Sequence, residues 1–410
     1  MSNYRPLIQP GILTMQKIVG FIIWLIVTLF VIYQFTLTTT AAVFATSIKD
    51  SLHVNDIGVS ITAGAFILGY ACMQIPAGYL LDKFNARFVV SAGILILTLG
   101  SLLTSYSTNL TLYALSNLIE GIGASFSFIA AAVLTAQWFS TKTFPILFGL
   151  TQTLSCLFAG ILHYYFTLEL DTHSWNDIYQ TLALFGIILF GVALLIVKTP
   201  AGFQRENTVS IKSSLISVLS NKQILLCCFA GATSFGILLA YASLWYMPIE
   251  SYYSVKNLQA VMISGIIFAG IGIGTPILGF LSNRAHSRVK IVHITLTLGI
   301  MVLLLGIYYP HNTTVTLLPI QIISFLIGFL LSGSMLFYTM VSEIATDANR
   351  GVAIGTLNTA VFLVNTLMLF IPYLFITETA KEFFTYLWIL PFILLTSLLT
   401  LHFIRDTYRG

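Results

Sequence analysis

The chain has 410 residues, of which 57% are apolar and only 8% charged, and its mean hydropathy is +0.94. A soluble domain carries about a quarter charged residues, so the composition excludes one and specifies an all-α, polytopic membrane protein. The net charge of +4 bears on orientation in a bilayer and is no footprint for nucleic acid.

Roughly 20 apolar residues cross a bilayer as a helix. The first stretch to meet this covers 18–44 and reads as a retained helix, because its apolar run is long enough to span and more spans follow. Residues 58–80, 88–107, 110–139, 145–168 and 178–197 come next. The longest hydrophilic break then runs from Lys198 to Lys222. Six further stretches follow at 224–249, 258–281, 291–309, 315–341, 352–376 and 383–404. The pattern predicts 12 transmembrane helices in two pseudo-symmetric six-helix bundles, 1–198 and 223–410, joined by a linker over 199–222. Of the 18 lysines and arginines, all but Lys49, Lys256 and Lys381 fall on one side. That side is the cytoplasmic one by the positive-inside rule, and it holds both termini. No lysine or arginine remains within a span, which leaves Glu120 as the sole charge at membrane depth.

The two halves repeat. "GYLLDKFNAR" at 78–87 aligns with "GFLSNRAHSR" at 279–288 at a constant offset of 201. Gly78 pairs with Gly279, Asp82 with Asn283, Lys83 with Arg284 and Arg87 with Arg288. Gly64 and Gly265 share the same offset upstream. Duplication of a six-helix unit explains this better than chance.

On these residues the chain resembles the major facilitator superfamily, whose hallmark after the second helix is G-x-x-x-D-[RK]-x-G-x-[RK]. Asn85 stands where that pattern has glycine, and we expect it to take the left-handed backbone that asparagine tolerates. The resemblance implies the major facilitator fold and a cytoplasmic gate built from Gly78, Asp82, Lys83, Arg87, Arg284 and Arg288. Asp82 is suited to cap the positive end of a helix from the other half, with Lys83 and Arg87 pairing with nearby acids. "NLIEGIGAS" is similar to the family's fourth-helix pattern R-x-x-Q-G-x-G-A, with Asn117 for the arginine and Glu120 for the glutamine. The fifth-helix antiporter pattern G-P-x-x-G-G is absent, which counts against a drug exporter. "YACMQIPAGYLLDKF", "AQWFSTKTFPILFGLTQTL" and "LLAYASLWYMPIESYY" are similar to the phagosomal nutrient-uptake transporters of intracellular bacteria, which take up amino acids or nucleosides.

A charge at mid-bilayer costs about 2.5–3.5 kcal/mol on insertion scales. Glu120 therefore reads either as a proton-coupling or cation-binding group, with Asn117 three residues away on the same face, or as a protonated interhelical donor. Tyr33, Gln34, Gln152, Tyr241, Trp245, Tyr338 and Asn358 are the candidate substrate-binding residues, and each could equally pack helices together. Four cysteines sit in apolar stretches as packing residues, and no metal site, cofactor motif or enzyme signature occurs. The expected partners are lipid, a small-molecule substrate and protons, with the chain a monomer in a bacterial inner membrane. The leading function is uptake of a small neutral, zwitterionic or cationic solute by alternating access. The alternatives are export of a drug or siderophore, a membrane enzyme, and a sensor that has lost transport.

Overall fold

The computed structural model describes residues 10–54, 56–200, 210–311, 316–375 and 386–408. Arg5, Arg205, Lys381, Arg409 and linker residues 201–209 lie outside the described residues. The first bundle comprises α1 (Pro10–Val43), α2 (Asp56–Lys83), α3 (Ala86–Ser105), α4 (Leu110–Trp138), α5 (Phe144–Glu169) and α6 (Trp175–Ile196). In the second, α7 runs through Lys222–Trp245 and on through Tyr246–Tyr252, followed by α8 (Asn257–Arg284) and α9 (Arg288–Tyr308). It is completed by α10 (Leu318–Ile344), α11 (Arg350–Phe375) and α12 (Ile389–Phe403). Among the described residues, α1 to α11 are each long and apolar enough to cross a membrane, and α12 is a shorter apolar helix. The break between the bundles also holds a short helix, Ile211–Ser220.

Side-chain oxygens start several of these helices. Asn109 caps α4 through Leu112 N–H at 2.9 Å, and Ser287 caps α9 through Lys290 N–H at 3.0 Å. Ser174 and Asp177 form a reciprocal capping box on α6. Each satisfies backbone donors that a helix start leaves without partners. Asn85 corrects one expectation. Its φ is −63°, an extended conformation, and its side chain accepts from Arg87 N–H as the cap of α3. The left-handed residue is its counterpart 201 positions on, His286, at φ 51°.

Small residues let the backbones touch, as membrane helix packing requires. A Cβ on Gly69 of α2 would strike Leu118 O and Ile122 N of α4. A Cβ on Gly270 of α8 would strike Phe325 O and Phe329 N of α10. The reciprocal glycines, Gly121 and Gly328, meet Phe66 O and Tyr70 N in one bundle and Ile267 O and Ile271 N in the other. The α2 and α8 positions differ by the repeat's own 201 residues. His53 and Ser254, left-handed at φ 52° and 60°, keep that offset too. The duplication is thus written into packing as well as sequence.

Helix α7 departs from regular geometry at two π turns, Ala232–Gly236 and Tyr241–Trp245. A π turn frees backbone groups, and hydroxyls answer some of them: Ser234 and Ser397 both donate to Ala230 O, at 2.5 and 2.8 Å. Such turns are frequent at functional sites. The structure also revises the charge reading. Besides Glu120, it buries Asp82, Glu250 and Arg288, all near helix ends. Of the cysteines, Cys227 and Cys228 are buried, whereas Cys72 is exposed.

Candidate functional site

The bundles meet most closely on the lysine- and arginine-rich face. Gly78 of α2 lies against the backbone of Gly351 in α11, and a side chain at either position would overlap the other's carbonyl. This contact seats Asp82 at the start of α11. Its Oδ1 accepts from Gly351 N–H at 2.7 Å and its Oδ2 from Val352 N–H at 3.0 Å. Two otherwise orphaned donors and the positive end of the helix dipole face one carboxylate. Lys83 and Arg87 do not pair with acids. Lys83 donates to Tyr79 OH at 2.9 Å on its own helix, and Arg87 Nε donates to Val197 O at 3.2 Å beyond α6.

The second copy is built differently, and a proline explains why. Gly279 of α8 packs on Pro145 O at the start of α5, as Gly78 packs on Gly351 O. Proline has no N–H to offer a carboxylate. Asn283, in the position of Asp82, instead donates to Lys142 O at 2.6 Å. Arg288 becomes the hub. It is fully buried and bonds Ser282, Asn283, Thr141 O and Glu343, the last at 3.0 Å. Arg284 is exposed. The chain's end closes over this hub: Thr407 donates to Glu343, and Tyr408 lies under the Arg288 guanidinium. Asp406 accepts from Ser287 and from the N–H groups of Arg288 and Val289 at the head of α9. Burial pushes the Asp406 carboxyl up, but these bonds outweigh it and hold it below the usual carboxylate range.

Deeper in, a polar cluster bridges the bundles. Tyr338 of α10 donates to Asn358 Oδ1 at 2.6 Å. Asn358 of α11 donates to Gln74 Oε1 at 2.9 Å and to Tyr70 OH at 3.3 Å, both on α2. The Tyr338 ring packs against Phe128 of α4, Phe148 of α5 and Phe235 of α7, at centroid distances of 5.3, 5.7 and 6.5 Å. Four buried polar side chains and three phenylalanine rings therefore form a plug across the interface. Removing the Tyr338 hydroxyl leaves Asn358 Oδ1 without that donor, at a cost of about 1–3 kcal/mol. Tyr338→Phe should therefore lower the thermal unfolding midpoint. Equal midpoints for Tyr338→Phe and the parent chain would remove the hydroxyl from the interface energetics.

Glu120 points elsewhere. On α4 it faces α3 inside the first bundle, where Gly100 leaves room for its side chain. Thr104 Oγ1 lies 2.8 Å from both Glu120 Oε1 and Ser116 Oγ. Tyr33, Tyr113 and Tyr179 lie within electrostatic reach. Asn117 does not bond it, because its amide donates to Tyr113 O at 2.8 Å. Among the described residues Glu120 makes no ion pair.

Of the seven candidate substrate-binding residues, the structure joins only Tyr338 and Asn358. Tyr33 turns into its own bundle beside Thr98 and Gly186. Gln34 accepts from Ser127 of α4 at 3.3 Å, and Gln152 donates to Cys156 on its own helix. Tyr241 reaches toward Gly306 of α9, and Trp245 donates to Met368 O of α11 at 2.9 Å. Tyr70 and Gln74 were missed, since neither carries charge nor repeats in the second half.

A family model described as the Major Facilitator Superfamily matches residues 25–402. A solved structure of the proton:xylose symporter XylE, bound to 6-bromo-6-deoxy-D-glucose, superposes with a TM-score of 0.71 at 15% identity, covering 95% of this chain and 96% of that one. At that identity it shows the fold alone. The uncharacterized transporter YybO of Bacillus subtilis (strain 168) is 31% identical over 98 residues, 24% of this chain and 22% of that protein. The probable galactarate/D-glucarate transporter GarP of Escherichia coli (strain K12) is 22% identical over 203 residues, 47% and 45% of the two chains. The multidrug resistance protein MdtL of Shewanella sp. (strain ANA-3) is 19% identical over 151 residues, 37% and 38%. The chain thus spans from about a fifth to under half the length of these curated relatives.

Proposed function

Because the chain belongs to the major facilitator superfamily, we propose that it is a secondary transporter importing a small neutral, zwitterionic or cationic organic solute, amino-acid or nucleoside-like, as the phagosomal uptake group does. It works as one chain in a bacterial inner membrane, with its basic face and both termini in the cytoplasm. The bundles rock about the interface, and the Asp82 cap and the Tyr338–Asn358 plug hold the cytoplasmic side closed in the conformation described. Glu120 couples the movement to a proton.

The observation that carries the substrate class is the absence of lysine and arginine from the interior of every span. The two carboxylates of a sugar diacid, or the phosphate of an ester, are usually held by cations, often through a bidentate arginine clamp. An amino-acid carboxylate can be held by hydroxyls and helix ends. The named relatives point to diacids and to drugs over less than half of this chain, so the interior chemistry weighs more than their names. The test is competition for uptake in proteoliposomes. Pools of neutral and zwitterionic metabolites should compete, whereas galactarate, citrate and sugar phosphates should not. Saturable high-affinity uptake of any of those anions would overturn the assignment.

A further inference from the structure

At the opposite face, the outer end of α7 is tied to the end of α9 by two buried side chains outside the plug and the gate. Glu250 and His311 are 2% and 4% exposed. His311 Nδ1 lies 2.9 Å from Glu250 Oε2, and its Nε2 lies 3.0 Å from Gly306 O. Tyr253 stacks on the imidazole at 4.3 Å between centroids and donates to Ile307 O at 3.0 Å. Among the described residues, the titratable groups facing the pair are tyrosines: Tyr241 and Tyr246 from α7, Tyr253 after it, and Tyr252 and Tyr308 beyond Tyr253. Among the described residues, Glu250 pairs with no lysine or arginine.

The hydrogen-bond inventory fixes the proton count. A backbone carbonyl only accepts, so His311 Nε2 must carry a hydrogen. The other contact, Nδ1 to carboxyl oxygen, then needs one hydrogen between its two atoms. That hydrogen resides on Nδ1, giving an imidazolium–carboxylate pair, or on the carboxyl, giving two neutral groups. In both cases the pair holds two protons. With only one, a lone pair would face a carboxylate at 2.9 Å in a buried site, and the contact would fail.

We propose that Glu250 and His311 form a proton-binding clasp, which locks the outer end of α7 to α9 while it holds its second proton and opens when that proton leaves. The ligand is a single proton, and the site is separate from Glu120. The second π turn, Tyr241–Trp245, lies just before the glutamate and supplies a hinge about which the Tyr246–Tyr252 turn can move. The sign follows from linkage. A solvated imidazole titrates at about 6.5 and a solvated carboxylic acid at about 4.3. Above about pH 6.5 the separated groups hold one proton between them, so closing the clasp takes one up and raising the pH favours opening.

Hydrogen–deuterium exchange of residues 246–255 in the full-length protein, corrected for intrinsic rates between pH 5.5 and 8.5, tests this. The opening equilibrium should rise as the pH is raised, by up to about tenfold per pH unit for a single proton. Glu250→Gln should stay protected with no such pH dependence, because a glutamine amide donates to Nδ1 without an added proton. His311→Ala should exchange rapidly at every pH. Should that variant fail to fold, the glutamine comparison decides alone. A flat profile in the parent chain, the same slope in Glu250→Gln, or an unprotected Glu250→Gln segment would each overturn the clasp. None of these readouts depends on transport.

Discussion

Asp82→Ala should open the lysine- and arginine-rich face. The substitution strips two charge-assisted bonds, to Gly351 and Val352 N–H, and leaves both donors buried. Bonds to a charged acceptor contribute about 1.5–3 kcal/mol each, and the conformation described makes both. A net shift on the order of 3 kcal/mol changes the ratio of closed to open forms by roughly a hundredfold. Cysteine reporters placed along the α2–α11 seam should react faster from that side, with expression unchanged. Asn283→Ala should shift the balance less, since Asn283 makes a single bond across the seam, to Lys142 O. Unaltered labelling in Asp82→Ala would reduce Asp82 to a residue that merely sets orientation.

How far this interface was legible depended on which physical signal each residue carried. The spans followed from hydropathy, and the duplicated loop followed from an offset of 201 that the glycine contacts and left-handed caps also keep. Asp82 stood out through the hallmark pattern that its loop shares with the superfamily, and a carboxylate suits the positive end of a helix. The plug did not. Tyr70 and Gln74 are uncharged, and only the approach of α11 to α2 turns them into partners of Asn358. Lys83 and Arg87 were assigned acids that the fold does not bring to them. Asn85 was read through a glycine pattern, whereas its amide does the different work of capping α3. Glu250 and His311 carry no signal in the sequence, because burial beyond the apolar part of a span depends on tertiary contacts that hydropathy does not record.

Glu120→Gln should separate coupling from transport. Glutamine matches the shape of glutamate and can still bond Thr104 in the space that Gly100 leaves. It cannot exchange a proton. The variant should express and fold normally, lose gradient-driven accumulation, and retain exchange of solute across the membrane, which moves no net proton. If Glu120 instead holds a cationic solute, exchange and accumulation should fall together. The position of Glu120 within the first bundle, away from the plug, favours the first outcome.

The most direct measurement is metabolite accumulation by cells expressing the chain, with the proton gradient intact or collapsed, in the parent and in Glu120→Gln. At least one neutral, zwitterionic or cationic metabolite should accumulate above its external level, collapsing the gradient should abolish this, and Glu120→Gln should behave like the collapsed case while still exchanging solute. Accumulation that survives both treatments would contradict proton-coupled uptake through Glu120.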